Sequence, residues 1–240
     1  MKRILALLLV AACQAAPPPM HSAAPERKPT MPQNLHVVAL GDSLAYGAGD
    51  ESGEGIAGRL DDELRARGVA AVETVNLGVN GAQTGDVLSR LQTKRVREAI
   101  AAADAVVLSV GANDLFRTPH SREEIMRAPL AVAERILGRI ETIIAEIHTI
   151  NPRARVLLLG GYNPVPRHEW APTINQYLGM WDATLAAHFE HDQRVTIVKM
   201  ADIVTPQRLS RYDSFHPGAQ AYQEAAKRIA SMLLQELSAA

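Results

Sequence analysis

The chain has 240 residues, 47% of them hydrophobic and 21% charged, with a formal net charge of -1. That composition describes a globular protein and excludes collagen, coiled coil and disorder. Near neutrality gives no concentration of Lys and Arg for phosphate, so nucleic acid is not an expected partner. A single cysteine, Cys13, excludes an intramolecular disulfide, a cysteine-based zinc site and a CxxC redox pair.

The first 33 residues read as an address and a tether. Lys2 and Arg3 supply a positive start, residues 4–12 form a short apolar run, and small residues lead up to Cys13, the arrangement of a secretory signal. The run is too short to span a bilayer, which needs about 20 apolar residues. Val10-Ala11-Ala12-Cys13 resembles the bacterial lipobox. That resemblance implies cleavage before Cys13, acylation of its thiol, and an exported protein anchored by lipid to the outer face of a bacterial membrane. The alternative is an ordinary cleaved signal with Cys13 discarded. Each buried acyl methylene contributes about 0.8 kcal/mol to attachment, so several chains hold firmly.

Six of the fourteen prolines, Pro17, Pro18, Pro19, Pro25, Pro29 and Pro32, lie in the following segment, which favours an extended spacer. The expected division is therefore a signal peptide over 1–12, a lipidated cysteine and Pro-rich linker over 13–33, and one domain over 34–240. Without residues 1–33 the chain carries 21 basic and 25 acidic groups, net -4. Such a surface does not favour direct adsorption on anionic lipid, so the anchor would do the docking.

From there, strands alternate with helices. Compact apolar runs at 35–40, 72–77, 105–110, 155–159 and 195–198, rich in Val and Leu and mostly bounded by Gly or Pro, predict five strands buried on both faces. Helical patterns fill the gaps at 56–67, 84–102, 123–150, 174–190 and 218–237. This β-α-β-α order predicts a three-layer α/β/α sandwich around a five-stranded parallel sheet. Reactive groups in such folds gather beyond the carboxyl ends of the strands.

Four segments there carry chemistry. Gly41-Asp42-Ser43-Leu44-Ala45-Tyr46-Gly47 puts a serine hydroxyl at a tight turn. Asn76-Leu77-Gly78-Val79-Asn80-Gly81 follows the second strand, where Gly78 is expected to admit a ligand and leave its amide free. Gly111-Ala112-Asn113-Asp114 offers a side-chain amide donor. Asp213-Ser214-Phe215-His216-Pro217 precedes the last helix and pairs a carboxylate with an imidazole one turn of chain away.

Together and in this order, the four blocks resemble the SGNH hydrolase family, also called GDSL esterases and lipases. The likeness runs over 35–222. It implies that Ser43 attacks an acyl carbonyl, His216 takes its proton and Asp213 orients the imidazole. The backbone amides of Ser43 and Gly78 and the Asn113 side chain would form the oxyanion hole. Chemistry asks for these parts independently, since serine is a poor nucleophile without an adjacent base, and histidine titrates near 6.5. No metal or organic cofactor is expected, and a monomer is.

Competing motifs fail on spacing. Gly41-Asp42-Ser43-Leu44-Ala45 is not G-x-S-x-G, and the glycines at 78–85 make neither a dinucleotide fingerprint nor a P-loop. His188, His191 and Asp192 read as an exposed helix end rather than a metal site, and Asp61-Asp62-Glu63 as a solvated helix face. Asp42 and Asp114 are expected to hold Ser43 and Asn113 in place through loop amides. Asn76 and Asn80 either do the same for Gly78 or cap local turns.

Substrate is less legible. Tyr162, Trp170, Tyr177 and Trp181 either wall an acyl pocket or pack ordinarily. Short-chain esters, lysophospholipids and O-acetylated glycans all fit the family resemblance. An acyltransferase using the same triad, or a catalytically silent binding lipoprotein, are the alternatives.

Overall fold

The computed structural model describes residues 32–116 and 121–239. The expected signal peptide and the expected lipidation at Cys13 lie outside the described residues. So does the linker, apart from Pro32 and Gln33. Among the described residues no helix is long and apolar enough to cross a membrane.

The core is a parallel sheet of β1 (Asn34–Gly41), β2 (Ala71–Gly78), β3 (Ala105–Ser109), β4 (Arg155–Leu159) and β5 (Val195–Val198), in spatial order β2-β1-β3-β4-β5. β3, read as doubly covered from its unbroken apolar run, has all five residues buried. The two edge strands, β2 and β5, are more open, because only one side of each has a neighbour. Side chains alternate between the faces. Leu35, Val37, Val107, Leu157 and Val198 join the core under α2 (Gly55–Ala66) and α9 (Ala219–Ala239). Val38, Leu40, Val106, Leu108 and Leu158 join the core on the other face. That second layer comprises α3 (Thr84–Arg90), α4 (Lys94–Ala102), α7 (Pro129–Ile150) and α8 (Ala171–His188). The sandwich is the expected architecture.

The helices depart from the sequence pattern in four places. The segment expected as one helix over 84–102 is two, because Thr93 turns extended (φ -84°, ψ 143°) and its hydroxyl donates to the Arg90 carbonyl at 2.7 Å, closing α3. The segment over 123–150 breaks at Ala128, leaving α6 (Ser121–Arg127) before α7. The cause is Pro129, whose ring forbids a helical predecessor. Two short helices were not expected at all: α1 (Ser43–Tyr46) and α5 (Ala112–Phe116), each shorter than the window in which a 3.6-residue period can be recognised.

The register sets up the site. Gly78, Gly41 and Ser109 stand in one row across β2, β1 and β3, so the segments that leave these strands emerge side by side. Strand order reverses at β1, and the crevice between β1 and β3 is where an open α/β sheet accepts ligands.

Candidate active site

Ser43 is placed by backbone. Gly41 has φ +131°, and a Cβ there would lie 1.8 Å from the Ser109 carbonyl oxygen, so only glycine lets β1 turn this close to β3. Beyond it, the Asp42 amide donates to that same carbonyl at 2.9 Å. The buried Asp42 carboxylate then caps α1: Oδ1 accepts from the Leu44 amide at 3.0 Å and from the Ser109 hydroxyl at 2.6 Å. Burial pushes this carboxyl up to about 6, the two hydrogen bonds opposing it only in part. Asp42 thus fixes the serine turn, as its position suggested. Ser43 itself is half-buried. Neither its amide nor its Oγ makes a hydrogen bond among the described residues.

Gly78 does a different job from the one expected. Its Cα lies so close to α1 that a Cβ would sit 2.1 Å from the Tyr46 nitrogen. Its amide is not free: it donates to Asn76 Oδ1 at 2.9 Å, while Asn76 Nδ2 donates to the Tyr46 carbonyl at 3.2 Å. Gly78 and Asn76 together seat the serine helix. The expectation of a free Gly78 amide is therefore corrected, because a side chain two residues upstream claims it. Three residues on, Gly81 adopts φ +80°, and its amide has no acceptor among the described residues. The signal was in the sequence as Asn80-Gly81, a dipeptide that favours positive φ.

Asn113 comes to the same place. Its Nδ2 donates to the carbonyl of Ala82, next to Gly81, at 3.0 Å, which uses one of its two amide hydrogens. Asp114 is buried and ties α5 to the start of α3, accepting from the Thr84 amide at 2.9 Å and hydroxyl at 2.5 Å, with Arg139 at 3.4 Å. Asp114 therefore holds the asparagine segment against the Gly81 turn.

Asp213 and His216 form a close pair. Nδ1 of the imidazole lies 2.6 Å from Asp213 Oδ2, and Asp213 Oδ1 accepts from the amides of Phe215 and His216, both at 2.9 Å. Burial would raise the Asp213 carboxyl, but the hydrogen bonds from His216 and the two amides outweigh it and hold the group below the usual carboxylate range. An ionised Asp213 keeps the imidazole proton on Nδ1 and leaves Nε2 as acceptor. His216 packs on the segment after α1. A Cβ on Gly49 would meet His216 Cβ at 2.6 Å, and the buried Tyr222 donates from its hydroxyl to Ala48 at 2.8 Å. Sequence reasoning missed this segment.

The aromatic group splits. Tyr162 lies under the histidine loop, donating to the Phe215 carbonyl at 3.2 Å, and Trp181 packs on the opposite core. Trp170 and Tyr177 are exposed. Tyr212 and Phe215, beside Asp213 and His216 in the chain, are exposed, as are Tyr46 at the end of α1 and Val79 after Gly78. His188, His191 and Asp192 are claimed separately by Glu141, Glu190 and Arg194.

Fold and geometry together put the chain among α/β proteins that carry a serine, an asparagine and an Asp–His pair at the carboxyl edge of a parallel sheet. It belongs to the GDSL-like lipase/acylhydrolase family, whose family model matches residues 39–224. It is similar to the Bacillus subtilis protein YpmR, 28% identical over 96% of this chain and 93% of that one. Its structure resembles that of the lipase Lip_vut3 from a goat rumen metagenome, with a TM-score of 0.69 and 22% identity over 82% of this chain and 96% of the other. It also resembles a family 3 carbohydrate esterase from Clostridium thermocellum, with a TM-score of 0.60 and 18% identity over 84% and 99% of the two chains.

Proposed function

We propose that this chain is a serine ester hydrolase working through an acyl-serine intermediate. The observation that carries the reading is the 2.6 Å Asp213–His216 pair, packed against the strand of chain that leaves Ser43. In the first step His216 Nε2 takes the Ser43 hydroxyl proton as Oγ bonds to the ester carbonyl carbon. The same imidazolium then protonates the leaving alkoxide. Water repeats the sequence and releases the acid. Asp213, held ionised, stabilises the imidazolium without taking its proton.

Negative charge gathers on the carbonyl oxygen in the tetrahedral intermediate. The donors for it are the Ser43 amide, the remaining Asn113 Nδ2 hydrogen and, in place of Gly78, the Gly81 amide. Each is a donor with capacity to spare, and together they would supply the preorganised positive field the transition state needs. Tyr46, Val79 and Phe215 would line the acyl side. Substrates within reach are short-chain acyl esters, lysophospholipids and O-acetylated glycans, a range supported by matched structures that include a lipase and a carbohydrate esterase. The N-terminal reading adds export and lipid attachment at Cys13, for which Cys13→Ser and mass analysis of the envelope-bound protein are the test.

A fluorophosphonate probe tests the mechanism directly. It should label Ser43, and Ser43→Ala should abolish labelling and lower kcat on a 4-nitrophenyl ester by about 10⁴-fold or more. Labelling elsewhere, or turnover surviving in Ser43→Ala, sinks the reading.

A further inference from the structure

We propose that Glu51 is a positioning residue for the catalytic base, its carboxylate gripping both shoulders of the loop that carries Asp213 and His216. This deepens the serine hydrolase reading and rests on it. The loop is closed on itself. Leu209 and Pro217 form an antiparallel bridge, the Ser210 amide donates to the His216 carbonyl at 2.7 Å, and the Gly218 amide to the Arg208 carbonyl at 2.8 Å. Inside the pinch, Asp213 takes two backbone amides, and Ser214 is strained to φ +54°. A loop tied this way moves as one body, so the position of His216 depends on what fastens that body to the sheet.

Glu51 fastens it on both sides of the pinch. Oε1 accepts from the Arg211 amide at 3.2 Å and Oε2 from the Ala219 amide at 3.0 Å. Ala219 opens α9, whose first amides lack partners within the helix. The Ala219 hydrogen bond, foremost, holds the Glu51 carboxyl below its ordinary range, so it stays ionised and accepting.

The residues around Glu51 are themselves rigid. Ser43's carbonyl accepts from the amides of Gly47 and Ala48 at 3.0 and 2.9 Å, so the segment leaves the nucleophile on a fixed heading. Asp50 is buried and accepts from the Ser52 amide at 3.0 Å, the Gly55 amide at 2.7 Å and Arg59 Nη2 at 3.0 Å, anchoring the segment on α2. Gly49 leaves no room between this segment and His216. Contact at Gly49 sets the nearest approach of the loop, and Glu51 holds it at that limit. Nucleophile and base are thereby spaced by one continuous stretch, residues 43–51.

The test uses the full-length chain with Glu51→Ala and Glu51→Gln. Asp62→Ala serves as a control that removes an exposed acid making no hydrogen bond. Glu51→Ala should lower kcat on a 4-nitrophenyl ester by about 10- to 100-fold, the size of effect that follows a displacement near 1 Å, with KM within about twofold. Glu51→Gln keeps one acceptor oxygen and should fall between Ala and wild type, and Asp62→Ala should match wild type. Amide hydrogen exchange at 211–219 should quicken in Glu51→Ala while β3 stays protected. Unchanged exchange in the loop, or exchange quickened equally in β3, would overturn the proposal, as would an unchanged kcat. The exchange measurement needs no turnover. If Ser43→Ala proved active, the hydrolase reading would fall while exchange still reported whether Glu51 holds the loop.

Discussion

The two halves of the site are built by different means. Ser43 stands on a turn set mainly by backbone: a positive-φ glycine jammed against a carbonyl of the neighbouring strand, an amide bonded to that carbonyl, and a four-residue helix seated on Gly78, with the Asp42 and Asn76 side chains tying it down. His216 stands on a loop outside the sheet, fastened by the side chains of Glu51 and Tyr162 and by contact with Gly49. Backbone placement cannot be adjusted by changing one side chain without disturbing the fold. Side-chain placement can. Damage to the backbone that carries Ser43 should therefore appear first as lost stability, and damage to the histidine half as lost rate in a folded protein.

Gly41→Ala presses hardest on that contrast. The new methyl carbon would stand 1.8 Å from the Ser109 oxygen in a conformation that L-residues seldom adopt. Relief requires β1 and β3 to part at the crevice, with the Asp42–Ser109 bonds lost as well. We expect destabilisation of about 4 kcal/mol or more, at the extreme of single substitutions. Urea unfolding followed by circular dichroism measures it, and a variant within about 1 kcal/mol of wild type would show that the serine turn is not backbone-locked.

Asn113→Ala comes next and separates chemistry from architecture. Losing one donor to a developing oxyanion costs about 3 to 4 kcal/mol of transition-state stabilisation, or two to three powers of ten in kcat, with KM little changed. The fold should survive, because Asp114 and not Asn113 carries the buried bonds to Thr84. Steady-state kinetics decide the point: equal effects on kcat and KM would count against the oxyanion role.

The same contrast explains what could be read in the amino-acid order. All five strands were legible because buried strands need short Val- and Leu-rich runs, and β1, β2 and β3 end where the register aligns Gly41, Gly78 and Ser109. Ser43, Asn113, Asp213 and His216 stood out because each lies in a compact local motif. The Gly78 assignment went astray on a local detail: the first glycine after a strand is not the one with a spare amide when an asparagine two residues back reaches it. Glu51 was illegible for a stronger reason. Its two partners lie 160 and 168 residues away, and nothing in Asp50-Glu51-Ser52 distinguishes a long-range clamp from a solvated turn.

Asp42→Asn is the mildest test and concerns the buried carboxyl beside Ser43. Burial lifts this carboxyl to about 6 when folded, against about 4 in an unfolded chain. The folded state then binds the proton more tightly, so stability from this group is full below pH 4 and is lost as pH rises through 6. Asparagine avoids the cost of the charge while keeping an Oδ1 that can accept from Leu44 and Ser109. The variant should therefore match wild type near pH 4 and exceed it at pH 7.5 by up to about 3 kcal/mol, with kcat within a few-fold because the turn is intact. Urea midpoints at both pH values give the difference. A gap that stays constant with pH would mean Asp42 is as ionised in the crevice as in water, and a lower kcat with equal stability would mean its charge, and not its hydrogen bonds, serves the serine.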